Sequence, residues 1–301
     1  MNKSTRFVIL FFAGCCLGGD TDSCFGRFWV PKTLKTRDEI FDYIYKQSFL
    51  VQEICDKLYP RPVALEFENV KSPFLLTPKK KTYAAIQLSS AVGGYNLPPE
   101  PKAAIKGMAA KKRDKCEWAH KIGFGLLKRL LENKNDSIET YAAWYKAELD
   151  KIPRTVLTTI EELAPFIITC ALNSEYKKDD GVLALSLAKM IADFTGAMPK
   201  PGQRLAYLSA YFRDDRLHAN ACVIPDVFLQ RKYRIDIAYY LEKQIWNCVK
   251  QILCLPVHDA LRDHLDLITK RYIHEWKNKT DGRRELTAFF TRVPSAKRLK
   301  T

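Results

Sequence analysis

Four adjacent residues, Asp20-Thr21-Asp22-Ser23, hold the clearest capacity for chemistry in this chain. Two carboxylates two positions apart at a hairpin tip can converge on one small volume. Burying like charges together is costly unless cations neutralise them. Mg²⁺ prefers carboxylate oxygens and keeps waters and phosphate oxygens in its shell. Two such ions can clamp an attacking oxygen and a leaving phosphate. Taken alone, D-x-D-S is also the composition of an exposed turn, because Asp, Gly and Ser favour turns through local hydrogen bonds. For the isolated tetrad the turn is the simpler reading.

Other chemistries find less support. The nine cysteines are an odd number, with Cys15 and Cys16 adjacent and the rest scattered. They form no C-x-x-C pair, which argues against a zinc knuckle or ribbon. Such cysteines suit a reducing compartment, as small buried hydrophobes. The five histidines make no ligand pattern, and His258 and His264 fall on an expected helix. Lys and Arg number 49 against 34 Asp and Glu, a formal charge of +15. That excess calls for a polyanionic partner, either nucleic acid or an acidic membrane face.

The elements that must position these residues follow from periodicity. Residues 7–17 and 24–30 read as two strands of a hairpin joined through Gly18-Gly19-Asp20-Thr21-Asp22-Ser23. Lys3 and Arg6 ahead of an apolar run also resemble a short secretory signal, with Ala13-Gly14-Cys15 as a cleavage zone. The run is too short to span a bilayer. Residues 37–59 have helical spacing, ended by Pro60 and Pro62. Strands are expected over 63–70, 74–77 and 83–88, the last two joined by Pro78-Lys79-Lys80-Lys81. A Gly/Pro-rich stretch at 89–101 reads as a hinge. Helices are expected over 112–133, 137–151, 181–195, 235–253 and 257–277, with a turn at 199–202 before the apolar stretch 205–212. The fold class is therefore α+β, with an α+β first part and a mainly helical second part.

Six segments, in order, carry a resemblance. Leu17-Gly18-Gly19-Asp20-Thr21-Asp22-Ser23-Cys24-Phe25 resembles the Y-G-D-T-D-S-V-F motif of family B DNA polymerases. Leu65-Glu66-Phe67-Glu68 resembles that family's L-E-F-E strand, and Lys80-Lys81-Thr82-Tyr83-Ala84 its K-K-R-Y-A motif. Lys106-Gly107-Met108 with Lys112-Arg113-Asp114 and Cys116 resembles K-G-…-R-R-D-N-C. Gly202-Gln203-Arg204-Leu205-Ala206-Tyr207 resembles G-D-R-V-P-Y, and Asp236 with Tyr239-Tyr240-Leu241-Glu242 and Gln244 resembles D-x-x-Y-Y-L-E-x-Q. The sequence departs from the pattern at Gly18, Thr82, Gln203 and Ala206.

The resemblance implies an antiparallel palm remnant over 1–100 with a β-hairpin carrying D-T-D, a thumb over 101–277 and a basic flexible tail over 278–301. It implies template-directed DNA synthesis by two-metal nucleotidyl transfer, with primer-template DNA and dNTP as partners and two Mg²⁺ ions in a complete site. Asp22 would be the ligand bridging both metals, Asp20 its essential neighbour and Glu68 a nearby acidic residue. Lys80, Lys81 and Tyr83 would track the primer-template end, and Lys106, Lys112 and Arg113 would hold phosphates, which ammonium and guanidinium groups neutralise without reading sequence. The basic runs also read as a solvated turn at 79–81 and a solvated helix start at 111–113. Only nineteen residues precede Asp20. The fingers, the first palm aspartate and the exonuclease are thus expected from a missing N-terminal polymerase portion, with this chain a C-terminal fragment or split subunit, inactive alone. The alternative is a non-catalytic basic DNA-binding remnant. The cysteine clusters that follow the thumb in large cellular members are absent, which points to a viral or virus-derived member.

The tail adds two expectations. Leu286, Phe289 and Phe290 in one short turn would form an apolar plug, which resembles the peptide that docks replication proteins onto a sliding clamp, with Arg283 in place of the usual Gln. The same rings could instead pack on the thumb. Lys297, Arg298 and Lys300 lie in a basic cluster of nuclear-import type, giving a nuclear location, the host nucleus for a viral protein. No membrane partner is expected.

Overall fold

The structure is a computed structural model, and it describes residues 14–20, 23–60, 62–64, 66–89, 102–132, 136–177, 181–211 and 221–280. The chain divides into two compact units, Met1–Ile105 and Lys106–Thr301. Both combine helices with antiparallel strands, as the α+β reading expects.

In the first unit, β1 (Gly14–Asp20) and β2 (Ser23–Phe28) pair antiparallel, with Gly14 opposite Phe28 and Asp20 opposite Ser23. Cys16 faces Gly26 whereas Gly18 faces Phe25, so Leu17 is the extra residue of a bulge. Helix α1 (Arg37–Leu58) starts on a capping box that the T-x-x-E spacing encodes: the Thr36 hydroxyl accepts from the Glu39 amide, and the Glu39 carboxylate accepts from the Thr36 amide. Phe41, Tyr45 and Ser48 recur at helical spacing on its buried face. Phe41 and Tyr45 pack with Ile44, Phe67, Val70 and Ile86.

A three-stranded sheet runs in the order β3 (Asn69–Leu76), β4 (Tyr83–Ser89), β5 (Lys102–Lys106). The strand expected from residue 63 begins only at Asn69. Before it, the Phe67 amide donates to Gln52 Oε1 at 3.3 Å, and the Phe67 ring meets Tyr45 and Phe49 at 5.2 and 5.9 Å. The chain there is anchored on α1 instead of a neighbouring strand. A second bulge interrupts β3, because Lys71 faces Gln87 and Phe74 faces Ala85. Pro73, which has no amide to donate, sits inside it. Strand β5 was not expected, as it directly follows the Gly/Pro-rich stretch.

The second unit contains α2 (Glu117–Glu132), α3 (Ile138–Asp150), α4 (Ile160–Leu163), β6 (Ile168–Ala171), α5 (Leu183–Thr195), β7 (Arg204–Tyr211), β8 (Ala221–Val223), α6 (Pro225–Gln230) and β9 (Arg234–Ile235). A continuous helix α7 follows, made of Ile237–Tyr239, a π-helical stretch Tyr240–Trp246 and Asn247–Ile252, and then α8 (Asp259–Thr280). This unit is mainly helical, as expected, and adds a small sheet the sequence did not announce: β7 lies among β6, β8 and β9 in a four-stranded antiparallel sheet. Leu205, Tyr207, Leu208, Ser209 and Ala210 are all buried, so β7 reads as an apolar run without alternation. Helix α2 begins at Glu117 and not at residue 112, which leaves Lys112 and Arg113 on a turn ahead of it.

The core of this unit lies between α2 and α7 and between α3 and α8. Ala119, Ile122, Gly123, Leu126 and Leu127 give α2 one buried face at spacings of three and four. Tyr145 on α3 is fully buried and hydrogen-bonds to Thr269 Oγ1 on α8 at 2.9 Å. Where α2 crosses α7 the approach is too close for a side chain: a Cβ on Gly123 would stand 2.7 Å from Cys248 Sγ and 3.1 Å from Ala110 Cβ. Gly123→Ala should therefore destabilise the unit by about 1–3 kcal/mol despite the better helix propensity of alanine. Denaturant unfolding should show that loss, and Cys248→Ala in the same chain should recover part of it.

Candidate functional site

The site builds outward from Phe25, the β2 residue opposite Gly18. Its ring centroid lies 5.1 Å from those of both Phe74 and Tyr83, and the Lys71 ammonium sits 5.4 Å above it. In a regular strand, residues three apart point to opposite faces. The β3 bulge is what brings Lys71 and Phe74 to the same ring. Burial lowers the Lys71 pKa from the ordinary lysine range, and the negative charge of Glu68 opposes that shift. The ladder carrying Asp20, the K-K-x-Y segment and the strand that follows Glu68 thus meet within the first unit.

The turn between β3 and β4 presents Lys79, Lys80 and Lys81, all exposed. Its carbonyls are held from inside. The Thr82 amide donates to Lys79 O and the Thr82 hydroxyl to Lys80 O, both at 3.2 Å, while the Thr77 hydroxyl donates to Thr82 O at 3.0 Å. Thr77 and Thr82 are buried, and Lys81 adopts a left-handed backbone with φ +58°. A lysine takes that conformation where surrounding hydrogen bonds impose it. Thr82, at the position where the family motif has a basic residue, is here a buried fastener of the turn.

The second unit has a basic turn of similar construction. After Gly107 at φ +67°, the buried Met108 enters a short 3₁₀ turn, and exposed Lys111, Lys112 and Arg113 follow. His120 Nε2 lies 2.7 Å from Lys112 O. Arg113 O accepts from Thr169 Oγ1 at 2.8 Å and from the Arg204 guanidinium at 3.2 Å. That guanidinium also donates to Thr169 O at 2.8 Å. Sequence reading placed Arg204 in a motif but gave it no role.

Asp20 ends β1, Asp22 lies outside the described residues, and Glu68 is exposed just before β3. Carboxylates are a donor set that fits Mg²⁺. Among the described residues no group of three His, Cys, Asp or Glu converges on a common point. Leu286, Phe289, Phe290, Lys297, Arg298 and Lys300 lie outside the described residues. No helix among the described residues is long and apolar enough to cross a membrane.

The family model for DNA polymerase family B matches residues 16–255. The chain belongs to DNA polymerase family B. It is similar to the DNA polymerase of Acanthamoeba polyphaga mimivirus, 25% identical over 296 residues, which cover 94% of this chain and 16% of that protein. It is similar to the DNA polymerase delta catalytic subunit of Schizosaccharomyces pombe, 26% identical over 232 residues, 75% of this chain and 19% of that one. Against the DNA polymerase alpha catalytic subunit of Drosophila melanogaster the identity is 26% over 250 residues, 78% of this chain and 15% of that one. The chain spans about a fifth or less of these relatives.

Several family B motif residues serve as internal fasteners here. Asp236 caps α7 by accepting from the Tyr239 amide at 3.0 Å, and its own amide donates to Ser209 O at 3.0 Å. One turn on, the Tyr240 hydroxyl donates to Phe166 O at 2.7 Å and accepts from the Ser209 amide at 3.2 Å. The D-x-x-x-Y spacing thus returns two groups to the same strand residue. Burial raises the carboxyl pKa of Asp236 and the phenol pKa of Tyr240. Gln203, in place of the family's Asp, accepts from the Lys200 amide through Oε1 at 2.9 Å, a bond a carboxylate could also make. Cys116 and Cys248 are buried thiols, pushed up by burial to about 11 and about 12, in keeping with small hydrophobes. Tyr240→Phe should cost about 1–3 kcal/mol, because it strands a buried amide and a buried carbonyl. Thermal or denaturant unfolding of the full chain would measure it.

Proposed function

We propose that this chain supplies the distal palm and thumb of a family B DNA polymerase, binding primer-template DNA during template-directed synthesis by two-metal nucleotidyl transfer. The observation that carries the reading is the family match over residues 16–255. Two exposed basic turns at the matching motif positions support it. The fingers and the upstream palm aspartate are supplied by a further polymerase segment, in the same polypeptide or a separate one. Residues 1–100 form the palm part and 101–277 the thumb. A nuclear location and clamp docking through Leu286, Phe289 and Phe290 belong to the same proposal.

In this mechanism Asp20 and Asp22 would hold the metals, with Glu68 a nearby acidic residue of the same site. Bound Mg²⁺ supplies neutralisation of the charge that develops on the attacking and leaving oxygens. Lys80 and Lys81 engage phosphates near the primer end, with Tyr83 seated beside them and edge-on to Phe25. Lys106, Lys112 and Arg113 engage phosphates from the thumb. These contacts fix register and carry no sequence information.

Two expectations follow from this chemistry. The chain should bind primer-template DNA without sequence preference and release it steeply as salt rises. Lys81→Ala and Arg113→Ala should each lower the salt slope by about one unit, measured by fluorescence anisotropy across a salt series. A slope indifferent to salt would remove the DNA-binding reading. In a polymerase reconstituted with the upstream segment, Asp22→Asn should reduce primer extension at least about a hundredfold while leaving the circular dichroism spectrum unchanged. Wild-type extension by that variant would leave only a non-catalytic DNA-binding role.

A further inference from the structure

We propose that Arg204 is a positioning residue for the thumb's phosphate contact, acting through the backbone of Arg113 and not by touching DNA itself. The inference rests on the reading of Arg113 as a phosphate-binding residue. Arg204 stands at the start of β7, opposite Ala171 on β6. Its Nε donates to Thr169 Oγ1 at 3.0 Å, and its Nη2 lies 2.8 Å from Thr169 O, 2.8 Å from Thr169 Oγ1 and 3.2 Å from Arg113 O. The Thr169 hydroxyl in turn donates to Arg113 O at 2.8 Å. One guanidinium and one hydroxyl therefore converge on a single carbonyl of the basic turn.

Holding that carbonyl has two consequences. It fixes the peptide plane after Arg113, and so the direction in which the Arg113 side chain leaves the turn. It also occupies the negative end of a peptide dipole with donors, which keeps it from facing a phosphate. His120 does the same for the preceding carbonyl, Lys112 O, which also accepts from the Lys115 amide at 3.2 Å. The planar fork of arginine suits this task, since several donors in fixed geometry reach several acceptors at once. A lysine at the same place keeps the charge and loses the fork.

The test is a double-mutant cycle on the full chain, read as primer-template affinity across a salt series. Arg204→Gln should weaken binding and lower the salt slope by about one unit, as Arg113→Ala does. Arg204→Gln combined with Arg113→Ala should lose little more than either alone, a non-additivity of at least about threefold. Combined with Lys80→Ala, in the other unit, it should be additive. Arg204→Lys should fail to restore binding although it restores the charge, and Thr169→Val should couple to Arg113→Ala in the same sense. Additivity with Arg113→Ala, a combined slope change of two units, or full rescue by Arg204→Lys would each overturn the proposal and make Arg204 a direct phosphate contact. Wild-type binding that ignores salt would instead overturn the DNA-binding reading beneath it. Thermal unfolding of each variant checks that a folded chain is being titrated, and Thr169→Val, which leaves every charge in place, keeps the cycle decisive if Arg204→Gln unfolds.

Discussion

The structure's basic surface depends on what happens to the carbonyls of two turns. A peptide oxygen in a tight turn is an unspent acceptor and the negative end of a dipole. Left facing outward, it would compete with the phosphates that neighbouring lysines and arginines could bind. Here the inward donors take it. Thr82 occupies Lys79 O and Lys80 O, His120 sits on Lys112 O, and Thr169 with Arg204 occupies Arg113 O. The two units reach this arrangement with different residues. The donors are fixed by regular elements: β4 beside Thr82, α2 at His120, and β6 with β7 at Thr169 and Arg204.

The same constraint explains what sequence reading could reach. Helices with regular apolar spacing were legible: the expected 37–59 and 137–151 are α1 and α3, which the structure shows capped by Thr36 and Ser137. The run Lys111-Lys112-Arg113 has the composition of a helix start, yet a helix beginning there would withdraw Lys112 O and Arg113 O from His120 and Arg204. Tertiary donors decided that boundary, and they come from residues as distant as Arg204. Short strands such as β8 escaped because three residues carry no period. The π-helical stretch within α7 escaped for the opposite reason: Leu241, Ile245, Cys248, Val249 and Ile252 are buried at spacings an ordinary helix also gives.

The candidate site was legible as motifs and illegible as geometry. D-x-D-S and K-K-x-Y can be read from the sequence. That Tyr83 of the second would meet Phe25, Phe74 and Lys71 could not, because the cluster depends on the bulge that turns Lys71 and Phe74 to one ring. The departures from the family pattern look different in structure than as letters. At Thr82 a charge has given way to a hydroxyl that spends itself on the turn, and three exposed lysines stand next to it. At Gln203 an amide oxygen accepts from the Lys200 amide, as a carboxylate could.

Motif residues in this chain therefore divide by the energy they carry. Asp236, Tyr240, Thr82 and Arg204 spend their polar groups on backbone partners, and removing a partner from a buried amide or carbonyl costs about 1–3 kcal/mol. Lys80, Lys81, Lys112 and Arg113 are exposed. Substitution at such surface positions usually changes stability by less than about 0.5 kcal/mol. The frame and the charges it presents are thus separable. Substitutions at the exposed cations can alter affinity for a polyanion at little risk to the fold. Of the frame residues, Thr82 and Arg204 donate to the basic turns themselves, at Lys80 O and Arg113 O, whereas Asp236 and Tyr240 hold β7 to α7.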